Sequence, residues 1–161
     1  MQVTIRPIEA KDNRELAIII RKTLEEFGAN HPGTVYYDPT TDHLSKLFQQ
    51  PLSRYWVAEG EDGKLYGGGG IFPTEGLPAG TCELVKLYLL PEARGLGLGK
   101  KLMEICHTTA QTLGFTQLYL ETMPELTSAV PLYEKMGYQY LKGALGNSGH
   151  FGCAIHMLKV L

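Results

Sequence analysis

The sequence predicts an α/β fold, a central mixed β-sheet flanked by about four helices in the order β-α-α-β-β-β-α-β-α-β-β. Three observations carry this expectation. At 161 residues the chain is one domain's worth, so residues 1–161 are read as a single domain. Apolar residues recur at helical spacing in some segments and in short β-rich runs in others. Finally, the strongest strand, Thr81 to Leu90, runs through a glycine-rich turn into the strongest helix and then another strand. That β-α-β unit predicts a parallel pair joined by a right-handed crossover.

Val3 to Ile8 reads as the first strand, with Val3 and Ile5 on one face. Asp12 with Glu15 three residues on resembles a capping box. Leu16, Ile19, Ile20, Leu24 and Phe27 then follow at helical spacing, and Gly28 ends the helix. Arg6 and Glu9 read as solvated surface. After a loop from Asn30 to Pro39, Thr41 to Gln49 predicts a short helix burying Leu44, Leu47 and Phe48 before Pro51. Arg54 to Glu59 and Leu65 to Phe72 predict a hairpin. Glycine weakens pairing in a strand, so Gly67 to Gly70 predicts a bulge with small-residue packing in preference to a close approach by substrate. Gly97 to Leu113 is the long amphipathic helix, Gln117 to Glu121 a strand, and Ser128 to Met136 a helix closed by Gly137. Strand segments around Tyr138 to Leu141 and Cys153 to Lys159 complete the chain.

Composition excludes several function classes. Fifteen basic against seventeen acidic side chains leave a net charge of −2, which lacks the basic field of a nucleic-acid binder. No apolar run is long enough to span a membrane, and the N-terminus has no signal-peptide pattern. The three scattered cysteines, Cys82, Cys106 and Cys153, are expected to be reduced thiols of a cytoplasmic protein. No histidine falls into ligand spacing with a cysteine, so no metal is expected.

The chemistry lies at the end of the strongest strand. Glu83-Leu-Val-Lys-Leu-Tyr-Leu-Leu-Pro is followed by Glu-Ala-Arg94-Gly95-Leu96-Gly97-Leu98-Gly99-Lys100-Lys101. Free N–H groups at a helix start cradle anions, and Arg94, Lys100 and Lys101 add positive charge. A phosphate or pyrophosphate site is therefore expected. It is not a P-loop, because Arg94 stands where the first glycine belongs and Lys101 where Ser or Thr belongs. Nor is it a dinucleotide fingerprint, because Gly95, Gly97 and Gly99 are spaced by two.

Arg94-Gly-Leu-Gly97-Leu-Gly99 resembles the acetyl-CoA signature of the GNAT family of N-acetyltransferases, Gln/Arg-x-x-Gly-x-Gly/Ala, at the same strand-to-helix junction. A second stretch, Ala129-Val-Pro-Leu-Tyr133-Glu-Lys-Met-Gly137-Tyr138, resembles that family's Ala-x-x-x-Tyr-Glu-Lys-x-Gly-Phe/Tyr. The resemblance implies acetyl-CoA as acyl donor, no metal, and direct attack by a primary amine in a ternary complex. It implies that the pantetheine arm pairs with the backbone of Leu87, Tyr88 and Leu89. The pyrophosphate is implied to sit on Arg94, Gly95, Leu96, Gly97, Leu98, Gly99 and Lys100. Tyr133 takes the place of the residue that protonates the departing thiolate. Glu83 lies eleven residues before Arg94, the offset of the general base in the family's histone-acetylating branch. A free amine is scarce at low pH, so loss of Glu83 is expected to cost most there.

One departure is that Leu126 stands where the family often has an asparagine against the cofactor. In the loop between the first two helices, Tyr36, Tyr37 and Asp38 are candidate acceptor contacts, and Gly146 to Gly152 a flexible loop able to close over the acceptor. His150 and His156 read as structural. The acceptor is left open between a small-molecule amine and a protein amine, and an exposed edge strand near the C-terminus is compatible with a homodimer. The rival reading is a non-catalytic acetyl-CoA or CoA sensor, or a partner-binding module, on the same fold.

Overall fold

A computed structural model describes residues 2–161. The chain starts with β1 (Val3–Pro7) and helix α1 (Asn13–Glu26), followed by short 3-10 turns and α2 (Leu44–Leu47). The hairpin β2 (Arg54–Gly60) and β3 (Leu65–Phe72) precedes β4 (Thr81–Leu89) and helix α3 (Leu98–Thr112). Strand β5 (Gln117–Thr122), helix α4 (Ala129–Lys135), β6 (Gln139–Tyr140) and β7 (Ile155–Val160) follow. This is the element order the sequence predicts. All seven strands join one sheet in the order β1-β2-β3-β4-β5-β7-β6. Neighbours are antiparallel except β4 and β5, whose parallel pairing follows from the α3 crossover between them.

Helices cover both faces. Leu16, Ile20 and Leu24 of α1 pack with Leu44, Phe48 and the β2 residues Tyr55 and Val57. Met103, Cys106 and Ala110 of α3 pack on the other face with Cys82, Leu84, Leu118, Leu120, Tyr133 and Met157. All three cysteines are buried and free.

Local chemistry shifts some expected boundaries. The second helix is expected as one piece but splits into a 3-10 turn (Pro39–His43) and one α-turn, because Asp38 caps Pro39 by accepting from the Thr40 N–H at 2.9 Å. The capping box also moves. Asp12 accepts from the Glu9 N–H at 2.8 Å, so Glu9 and Asp12 close the turn before α1, while Glu15 instead accepts from the Leu65 N–H. Glu9 is exposed as expected, but Arg6 is not free surface. Its guanidinium donates to Asp12 at 2.8 and 2.9 Å and to Glu59 at 2.9 Å, tying β1 to α1 and β2.

The glycine run of β3 does serve packing. A Cβ at Gly67 would collide with the Tyr88 carbonyl, and one at Gly70 with the Arg54 carbonyl. Between Gly68 and Gly70 the β3–β4 register slips, so that Tyr88 through Val85 oppose one residue fewer of β3. The extra residue lies on β4, where Lys86 takes a φ of 52°. The buried Tyr55 phenol pins this bulge, donating to the Lys86 carbonyl at 2.8 Å.

Candidate active site

Pairing between β4 and β5 stops at Glu83 opposite Tyr119, although β4 continues to Leu89 and β5 to Thr122, with β7 along the other edge of β5. The strands splay from that point, because the bulge at Lys86 bends β4 away. Leu90 donates its N–H to Tyr66 on β3 at 2.8 Å. By the alternation of an extended strand, the Leu89 and Leu87 N–H groups point the other way, into the opening.

A cleft of about 410 Å³ occupies one side of this opening. Its walls are Leu87, Tyr88 and Leu89 of β4, Arg94, Gly95, Gly97, Leu98, Gly99 and Lys100 at the start of α3, and Leu126, Ala129 and Leu132 near α4. Of the expected cofactor contacts only Leu96 is not in the lining, and it is 54% exposed. Gly95 and Gly97 take φ values of 75° and 77°, which a side chain would strain, and these turns aim the chain into α3. Among the described residues no side chain caps α3, and the first N–H of its helical pattern to find a partner is that of Lys101, on the Gly97 carbonyl at 3.0 Å. The N–H groups of Leu98, Gly99 and Lys100 are thus free at the positive end of a four-turn dipole. Gly99 keeps α4 close: a Cβ there would lie 3.1 Å from Leu132 Cδ2.

The Arg94 side chain is engaged elsewhere. Its guanidinium donates to Glu26 of α1 at 2.6 and 2.9 Å and to the Leu89 carbonyl at 2.9 and 3.1 Å, and it lies over the Phe27 ring. This clamp joins α1, β4 and the signature turn, leaving anion contact there to backbone N–H groups and Lys100. We expect Arg94→Ala to lower stability by about 1–2 kcal/mol. Urea unfolding checks this, and an unchanged midpoint would mean that the clamp holds nothing.

On the other side of the splay is a cavity of about 40 Å³, which shares Leu87, Tyr88 and Leu126 with the cleft. Glu83, Lys86, Glu121, Tyr133, His150 and Cys153 line it. The two expected catalytic side chains therefore meet one space that adjoins the anion cradle. Glu83 is 4% exposed, and burial pushes its carboxyl up to about 7, although the Thr74 hydroxyl donates to it at 2.5 Å. Tyr133 is 7% exposed, and its phenol makes no hydrogen bond among the described residues. Burial holds it protonated, well above the ordinary tyrosine range.

Loops close the cavity. His150 Nε2 and Asp38 Oδ2 lie 2.8 Å apart, and Gly152 donates its N–H to the Gly33 carbonyl at 2.8 Å. Ser148 hydrogen-bonds Glu121, which also accepts from Tyr119 at 2.6 Å. Of the three loop candidates, Asp38 reaches the site through His150. Tyr36 and Tyr37 are not in the lining, and Tyr37 is 61% exposed. Sequence reading missed Lys86 and Glu121 altogether. The signal for Lys86 was its place between Glu83 and the signature turn, in a strand otherwise apolar at that point.

A family model described as the acetyltransferase (GNAT) family matches residues 19–138. An Escherichia coli K12 protein, the N-acetyltransferase YjgM, is 40% identical over 158 residues, 98% of this chain and 94% of that protein. An IAA acetyltransferase of Azospirillum brasilense is 31% identical over 78% of this chain and 80% of its own. Among solved structures, a GNAT-family acetyltransferase of Staphylococcus aureus Mu50 superposes with a TM-score of 0.89 at 18% identity, covering 99% of both chains. The structure of yncA from Salmonella typhimurium with its cofactor acetyl-CoA superposes with a TM-score of 0.74 at 21% identity, over 100% of this chain and 95% of that one.

Proposed function

The chain belongs to the GNAT acetyltransferase family, and from that premise we propose that it transfers an acetyl group from acetyl-CoA to a primary amine by direct attack in a ternary complex. The observation that carries this reading is the splay of β4 from β5, which sets an anion-binding helix start on one side and Glu83 with Tyr133 on the other. The residues present fit the donor. Three free N–H groups and Lys100 suit a pyrophosphate, and the exposed β4 edge and the apolar wall of Leu126, Ala129 and Leu132 suit a pantetheine arm.

Bound acetyl-CoA supplies an activated acyl thioester. The chain's own groups do the rest. Glu83 takes the proton of the attacking ammonium, directly or through water. The amine nitrogen then forms a bond to the acetyl carbon as the carbon–sulfur bond breaks, its electron pair leaving on sulfur, and the nitrogen gives up its remaining surplus proton to solvent. The Leu89 N–H, pointing into the opening, stabilises the negative charge that grows on the acetyl oxygen. Tyr133 gives the sulfur a proton and recovers one from solvent, to which Glu83 returns its own. No cysteine is needed as nucleophile, in keeping with the buried thiols of Cys82, Cys106 and Cys153, which burial pushes up to about 12 or beyond.

Saturating acetyl-CoA is expected to raise Tm by roughly 5–10 °C, as a native-state ligand at a hundred times Kd does for a domain of this size. NADH should leave it unchanged. An equal response to NADH, or none to acetyl-CoA, would remove the cradle from the reading. Thiol release across a panel of amines then separates a transferase from a non-catalytic sensor, which would bind acetyl-CoA and release nothing with any of them.

A further inference from the structure

The cavity beside Tyr133 contains a buried lysine that no group of the chain pairs with directly. Glu83 is hydrogen-bonded by Thr74, Glu121 by Tyr119 and Ser148, and His150 by Asp38, which also accepts from Thr40. Lys86 is 8% exposed and lines the same space, yet among the described residues it forms no hydrogen bond and no ion pair. Asp38 and Glu83 act on it only at longer range. A buried ammonium without a partner is costly, and the bulge that turns Lys86 inward is itself held in place by Tyr55. Burial lowers the Lys86 pKa from the ordinary lysine value, and an anion brought into the cavity from outside the chain would favour its charged form.

We propose that the acetyl acceptor is a small amino acid, its amine at Glu83 and its carboxylate paired with Lys86. The inference rests on the cavity being the acceptor site of the transferase proposed above. Glu83 and Lys86 lie three residues apart on one strand and line one space of about 40 Å³. Such a space admits an amine and an anion a few bonds apart, and leaves little room for a long polyamine. Of the charged side chains that line the cavity, Lys86 alone has no hydrogen-bonded partner among the described residues, and a carboxylate on the acceptor would supply one. The acetyl group passes to the amine as described above, and the products are the N-acetyl amino acid and the free thiol of CoA.

The test measures thiol release from acetyl-CoA with glycine, alanine, serine and methionine, each against its amide and its decarboxylated amine. The expected result is a kcat/KM about 100-fold higher for the preferred amino acid than for its two analogues. In Lys86→Met that ratio falls towards one, while Lys86→Arg keeps part of it. The wild-type comparison needs no variant and stands even if Lys86→Met fails to fold. A second readout is the Tm shift given by the N-acetyl amino acids together with CoA, which their N-acetyl amides should not match. Preference for the amides, the decarboxylated amines or a polyamine overturns the proposal. So does a carboxylate preference that survives in Lys86→Met, or an acetyl group found on Lys86 itself by peptide mass mapping. If acetyl-CoA raises Tm and neutral amines release thiol without a carboxylate preference, the amino-acid inference alone fails. If acetyl-CoA gives no shift and no thiol appears with any amine, the transferase reading falls and takes this one with it.

Discussion

Tyr133→Phe is expected to lower kcat about 100-fold while leaving the Tm shift given by acetyl-CoA unchanged, because general acid catalysis is worth about that much and more. The substitution is unusually clean in this chain. The phenol makes no hydrogen bond among the described residues, so removing it leaves no donor or acceptor stranded. The ring keeps its edge-on contact with Tyr138 at 6.0 Å and its place among Met103, Cys106 and Leu120. Stability should change by no more than about 0.5 kcal/mol, so lost turnover cannot be blamed on unfolding. Single-turnover kinetics give the check. Thiol release within about twofold of wild type would take Tyr133 out of the mechanism.

Glu83→Gln carries the second large effect, and its pH dependence reverses what the chemistry of the amine alone suggests. From the sequence, loss of the base is expected to cost most at low pH, where free amine is scarce. Burial changes this, because it pushes the Glu83 carboxyl from 4.5 up to about 7. Below pH 7 the wild-type residue is increasingly protonated, and its protonated form is no better a base than glutamine. The activity gap should therefore shrink from about 100-fold above pH 8 to about tenfold at pH 6 and go on closing below that. Wild-type kcat/KM should rise through pH 7 with a limb that the variant lacks, and parallel profiles would exclude Glu83 as the base.

Stability moves in the opposite sense. A carboxyl whose folded value lies above its unfolded one favours the fold below pH 4.5, and that contribution is lost as pH rises through 7. Ionising it inside the fold at pH 8 costs about 3 kcal/mol. Glu83→Gln should thus raise Tm at pH 8 and leave it unchanged at pH 4. A gain in stability paired with a loss of activity is what a buried functional carboxylate produces and a surface one does not. The two readouts therefore check each other.

The element order and the signature turn were legible along the chain because each rests on local chemistry. The apolar stripe from Leu16 to Leu24 has helical period whatever it packs against, and Gly97, at a φ of 77°, starts α3 by its own backbone preference. The run from Arg94 to Lys100 reads as an anion cradle for the same reason, since a helix start exposes its N–H groups by construction. Tertiary structure decided what depends on distant partners. Arg94 looked like a phosphate ligand, but Glu26, far away on α1, claims its guanidinium. Arg6 looked like surface until Asp12 and Glu59 closed on it from two other elements. Lys86 could not be placed by its position in an apolar strand alone, because a lone lysine in a strand usually faces water. Only the slip of β4 against the glycines of β3, pinned by Tyr55, turns it into the cavity with Glu83 and Tyr133. Period and propensity are properties of neighbouring residues and survive in a string of letters. Burial, and the pairing or orphaning of a charge, belong to groups brought together by folding, and they exist only once the sheet has closed.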